Sequence, residues 1–87
     1  MKVYIVSVDE VYDFEKFYHE PRVFAEVNDA ISLMNDIVKK FEEENNPDDF
    51  IIERDDTSYS AYEDGRYPEN HFCVQVYCKE VETTLAR

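Results

Sequence analysis

His71 and Cys73 stand two residues apart in a stretch that alternates apolar and polar side chains. In a strand that spacing puts both on one face, where they could offer two ligands to a metal, or a thiol beside a base. A structural zinc needs four ligands, and the remaining nitrogen and sulfur donors are only His19 and Cys78, at no metal-binding spacing. A Cys73 nucleophile with His19 or His71 as base would also need an orienting group and an oxyanion hole, and no motif supplies them. Asp48-Asp49, Glu53 and Asp55-Asp56 are rich in oxygen, but a calcium loop places its ligands at alternate positions around a glycine. The chain has one glycine and no Gly-rich phosphate loop, H-E-x-x-H, C-x-x-C or G-x-S-x-G. The expectation is no catalytic residue, no metal and no cofactor. A small-ligand or metal-dependent enzyme using His71 and Cys73 is the alternative from another class.

Two other features point to binding. Glu42-Glu43-Glu44 crowd the end of a strongly patterned helix, where the negative end of the dipole favours Lys or Arg. Asp48 and Asp49 follow at once. Each helix-end acid costs about 0.3–1 kcal/mol at low salt, and such local violations are sometimes functional. Tyr12, Tyr18, Tyr59, Tyr62 and Tyr67 fall in or beside loop and turn regions, and Tyr offers contact area at low entropic cost. The proposed contact surface therefore joins Glu42, Glu43, Glu44, Asp48 and Asp49 to a Tyr59–Tyr67 hairpin.

The net charge of −12 in 87 residues sets the partner class. With the compactness usual for this length the domain would be about 30 Å across, a span over which duplex DNA carries about 18 phosphates. Direct binding to nucleic acid or an anionic membrane is disfavoured, and a protein with a basic surface is favoured. A DNA-mimic inhibitor is a second form of the same electrostatics. No motif ties the chain to a known family, and the oligomeric state is not readable. The N-terminal apolar run is too short for a signal peptide, and no segment approaches a membrane span. Cys73 and Cys78, about 16 Å apart on opposite faces of one strand, cannot pair, which suits a reducing cytoplasm.

The elements that must position these residues read as ββαββ. Residues 1–82 form one compact domain, and 83–87 form a flexible tail. The first strand runs from Lys2 to about Val8, so nearly continuously apolar that burial on both faces or a central place is expected. Asp9-Glu10 could begin a turn, and Val11–Tyr18 reads as strand extension plus hairpin loop. Pro21 confines a second strand, about Arg22–Ala25, to an edge. Ala30, Ile31, Leu33, Met34, Ile37, Val38 and Phe41 make the apolar stripe of a helix over 29–44. Asn28 is its expected N-cap, and Asn45-Asn46-Pro47 its stop, with Asn suited to the left-handed conformation. A third strand covers 50–54, bends at Asp55-Asp56 and resumes over 57–62. Glu63-Asp64-Gly65-Arg66 reads as a turn, and His71–Val81 as the fourth strand. The expected class is α+β, a mainly antiparallel four-stranded sheet in the order 2-1-3-4 with one amphipathic helix on one face.

Overall fold

The computed structural model describes residues 1–63 and 70–81. The expected turn at 64–66, Tyr67 and the tail at 83–87 lie outside them. Among the described residues six strands and one helix are present: β1 (Lys2–Tyr12), β2 (Glu15–Tyr18), β3 (Arg22–Phe24), α1 (Val27–Glu44), β4 (Ile51–Asp55), β5 (Ser58–Tyr62) and β6 (His71–Glu80). The class is α+β, one helix on an open antiparallel sheet, but the sheet has six strands rather than four. Its order is β2-β1-β6-β5-β4, with β3 also on β1.

Three local readings account for the extra strands and the changed order. Asp9 and Glu10 do not turn; they continue β1, opposite Tyr18 and Phe17 on one side and Cys73 and Phe72 on the other. The chain reverses at Asp13-Phe14 instead, and β2 returns along β1. Asp55-Asp56 is a full reversal rather than a bend, with Asp55 opposite Ser58. The Asp55 carboxylate accepts from the Thr57 N–H at 2.8 Å, a side-chain turn that holds its pKa below the ordinary value. The last strand, not the third, lies beside β1, pairing from Lys2–Glu80 to Val11–His71. That ten-residue ladder is the longest in the sheet, and the short β4–β5 hairpin is carried outside it.

β2 and β3 are one interrupted edge strand. Between the pairs Asp9–Tyr18 and Val6–Arg22, the three residues His19-Glu20-Pro21 oppose only Ser7 and Val8. The extra residue is a bulge, a natural place for Pro21, which has no N–H to offer a ladder.

The helix begins two residues earlier than its apolar stripe suggested. Glu26, in extended backbone, is the N-cap without a side-chain bond, so Asn28 lies in the first turn rather than capping it. Starting there brings the half-buried Val27 onto the apolar face, while Asp29 keeps its place near the positive end of the dipole. At the other end Asn45 is extended, not left-handed. It closes the helix by giving both its backbone N–H (2.9 Å) and its side-chain amide (3.1 Å) to the Phe41 carbonyl. Asn46 then accepts from the Asp48 N–H and starts a 3-10 helix, Pro47–Asp49.

Ala30, Met34, Val38 and Phe41 are buried against Val6, Phe72, Val74, Val76, Tyr59 and Ala61 on the sheet. These strand residues share a face because alternate side chains do. The opposite face has no helix over it among the described residues. The continuous apolar run of β1 therefore reflects one covered face and one half-buried face, on which Val23, Ile5 and Tyr77 line up across three strands. The molecule measures 53 × 23 × 18 Å, not 30 Å across. Over 53 Å a duplex carries about 31 phosphates rather than about 18, so the net charge reaches only about two-fifths of DNA's.

Candidate functional site

β1 ends where α1 ends, because β3 runs down β1 and the helix climbs back over it. A cavity of about 310 Å³ opens at this shared end, lined by Val8, Glu10, Tyr12, His19, Ile37, Lys40, Phe41, Glu44, Asn45 and Phe72. Val8, Glu10 and Tyr12 alternate along β1 toward the helix. The bulge delivers His19, and the last helical turns deliver Ile37, Lys40, Phe41 and Glu44.

The floor is apolar, built on Phe41 and Phe72, whose rings stack at 4.3 Å. The rim is polar. Tyr12 donates its hydroxyl to Glu10 Oε1 at 3.0 Å, and His19 Nε2 meets Glu10 Oε2. Burial pushes the Tyr12 phenol up to about 12, helped by the hydrogen bond to Glu10 and by the charges of Glu10 and Glu44. Both carboxylates therefore act on the same wall of the cavity. Among the described residues the Glu44 carboxylate makes no hydrogen bond or ion pair. Among the described residues the ion pairs are the N-terminus with Glu80 and His19 with Glu10; no Lys or Arg side chain pairs with a carboxylate.

Beside the cavity, the β1–β2 hairpin presents aromatic residues to solvent. Phe14 is 66% exposed, Phe17 43% and Tyr18 81%, with Phe17 against Tyr12 at 5.9 Å between ring centroids. The two turn residues, Asp13 and Phe14, have φ of 52° and 64°. Two-residue hairpins need such angles and usually place Gly or Asn there; a bulky residue in that region is an outlier. Asn70 anchors the turn by accepting from the Asp13 N–H at 3.2 Å.

The residues singled out from sequence separate. Glu42, Glu43 and Glu44 end α1 and Asp48 and Asp49 lie in the 3-10 helix that follows, but Glu42 accepts from the Tyr59 hydroxyl at 3.2 Å and is half-buried. Tyr59 is wholly buried, packed on Phe41 and Phe72, with burial and the charge of Glu42 pushing its phenol up to about 12. It is a core residue and cannot be a contact. Tyr62 lies on the other face of the sheet, its hydroxyl bonded to Glu53. The proposed union of the acidic helix end with a Tyr59–Tyr67 hairpin therefore does not form among the described residues. Of these acids, Glu44 lies near Tyr12 of the earlier hairpin.

His71 and Cys73 do share the open sheet face, with Cys73 against the Ser60 hydroxyl at 3.5 Å. His19 is on the helix side of the sheet, so it cannot serve Cys73. Among the described residues no cluster of three or more His, Cys, Asp or Glu is arranged to hold a metal. Cys73 and Cys78 are unpaired thiols on opposite faces. No described helix is long and apolar enough to cross a membrane.

The fold and this site define a small α+β domain with a carboxylate-rimmed cavity and an exposed aromatic hairpin at one end. Comparison with protein-family models, curated proteins and solved structures finds no match.

Proposed function

We propose that the chain is a non-enzymatic protein-binding module that docks a basic partner at this end. The observation that carries the reading is the β1–β2 hairpin. Phe14 occupies a backbone conformation costly for a bulky side chain, yet its ring is spent on solvent rather than on the core. Exposed Phe17 and Tyr18 extend the surface, and aromatic anchors are what interface centres use. The acids at and after the helix end, Glu43, Glu44, Asp48 and Asp49, pair with no cation among the described residues and supply steering toward a positive surface.

Mimicry of DNA is less favoured. Asp29, Asp36 and Glu43 recur every seven residues along the helix, about 10 Å apart, and Lys39 and Lys40 interrupt the run. The reading is tested by capture from a lysate of the source cells at low and high salt. The native chain is compared with Phe14→Ser/Tyr18→Ser and with Glu43→Gln/Glu44→Gln/Asp48→Asn/Asp49→Asn. The expected result is a basic protein that the hairpin variant fails to retain and that the acid variant retains poorly, with a flattened salt dependence. Equal capture by all three chains would overturn the reading.

A further inference from the structure

Glu10 and Glu44 face one cavity, and among the described residues no Lys or Arg pairs with either. Lys40 is in the wall, but it precedes Glu44 by four residues, the weaker order for a helical pair, and forms no ion pair. Glu10 already holds Tyr12 and His19, which fixes its carboxylate in place.

The molecule satisfies a similar set of groups elsewhere. A second cavity, about 360 Å³, is lined by Ile31, Met34, Asn35, Arg54, Asp55 and Asp56. There Arg54 lies 5.6 Å over the Tyr59 ring and donates to the Asn35 side chain at 3.4 Å, beside the two aspartates. The chain's own guanidinium serves the aromatic ring and the amide there, with the two carboxylates nearby but not paired to it. The first cavity offers the same three kinds of group in Phe41 and Phe72, Asn45, and Glu10 with Glu44. No arginine fills it among the described residues.

We propose that this cavity is the anchor for an arginine side chain of the partner. The inference rests on the docking reading above and names what the site accepts. The methylenes lie along Val8 and Ile37, the guanidinium meets the aromatic floor, and its fork pairs with Glu44. Arginine is chosen over lysine because its planar, weakly hydrated head stacks on rings and binds a carboxylate through two hydrogen bonds. A volume of about 310 Å³ lies at the small end of ligand pockets and has room for an arginine side chain.

The test is an NMR titration of the full chain with the blocked tripeptide Ac-Gly-Arg-Gly-NH2 and its lysine and citrulline counterparts. Saturable shifts are expected at Tyr12, His19, Ile37, Phe41 and Phe72, tighter for arginine than for lysine and absent for citrulline. Glu44→Gln should weaken the arginine peptide about tenfold, the size of one hydrogen bond to a charged group, while Glu43→Gln stays within about twofold. Glu44→Gln removes an acid from the negative end of a helix dipole, so its fold should not suffer. Glu10→Gln, a second variant, should weaken the peptide as well. Shifts spread over the acidic surface, equal for arginine and lysine, would overturn the anchor and leave acidic docking standing. Failure of the docking reading shows separately, as unchanged capture by the hairpin and acid variants.

Discussion

Two aromatic groups meet at one cavity at the same end of the molecule and are used in opposite ways. Phe41, Phe50, Tyr59 and Phe72 form a buried cluster, with Phe41 at its centre, stacked on Phe72 and edge-on to Phe50 and Tyr59. Tyr12, Phe14, Phe17 and Tyr18 belong to a hairpin, and of these four only Tyr12 is substantially covered. A chain of 87 residues has few large side chains to spend, and small domains bury a modest share of their surface. Leaving three of them in water at one hairpin is a cost the core does not recover. The cavity lies between the two groups, floored by the first and walled by the second.

Breaking the buried group should have the largest effect. Phe41→Ala removes the residue that touches every other ring of the cluster and should cost about 3–5 kcal/mol of stability by chemical denaturation. The hairpin substitutions used in the capture experiment should leave the denaturation midpoint nearly unchanged. If Phe14→Ser/Tyr18→Ser destabilised the fold as Phe41→Ala does, the two groups would share one role and the contrast would fail.

This division was half legible in the sequence. The helical spacing from Ala30 to Phe41 and the alternation from His71 onward are strong periodic signals, and both elements stand where those signals put them. Ser58-Tyr59-Ser60-Ala61 also alternates, which was enough to place Tyr59 on the Ala61 side and so in the core. Its nearness to a turn was the weaker clue. The β1–β2 turn was hidden because Asp13-Phe14 contains no glycine, the usual mark of a left-handed pair. The site was harder still. Glu10, His19 and Glu44 are far apart in sequence, and they meet only because a one-residue bulge re-aims His19 while the helix returns antiparallel to β3. No periodicity encodes that meeting. Strand order failed for a related reason: nothing local says that the longest complement to β1 is the last strand.

A smaller effect sharpens the comparison from the alkaline side, because each group contains one phenol held near 12, Tyr12 by the cavity wall and Tyr59 by the core. In the unfolded chain both return to about 10. The unfolded state therefore loses these protons first, so the stability they contribute is complete below pH 10 and is lost as pH rises from 10 to 12. The urea midpoint should fall between pH 9 and pH 11, and the double variant Tyr12→Phe/Tyr59→Phe should show a shallower fall. An equal fall in both chains would mean that neither phenol is held neutral by the fold.

The smallest effect bears most directly on why the hairpin looks as it does. If Phe14 were there for folding, replacing it would destabilise the protein. The geometry argues the reverse: a left-handed bulky residue costs about 1–2 kcal/mol, which glycine avoids while giving back part as chain entropy. Phe14→Gly creates the Asp-Gly pair that such hairpins prefer and should stabilise the domain by up to about 1 kcal/mol, read from the shift in denaturation midpoint. A residue whose removal strengthens the fold is held for something the fold does not need. Should Phe14→Gly also abolish capture of the basic partner, the exposed ring is a contact; should it destabilise the domain, Phe14 belongs with the buried cluster after all.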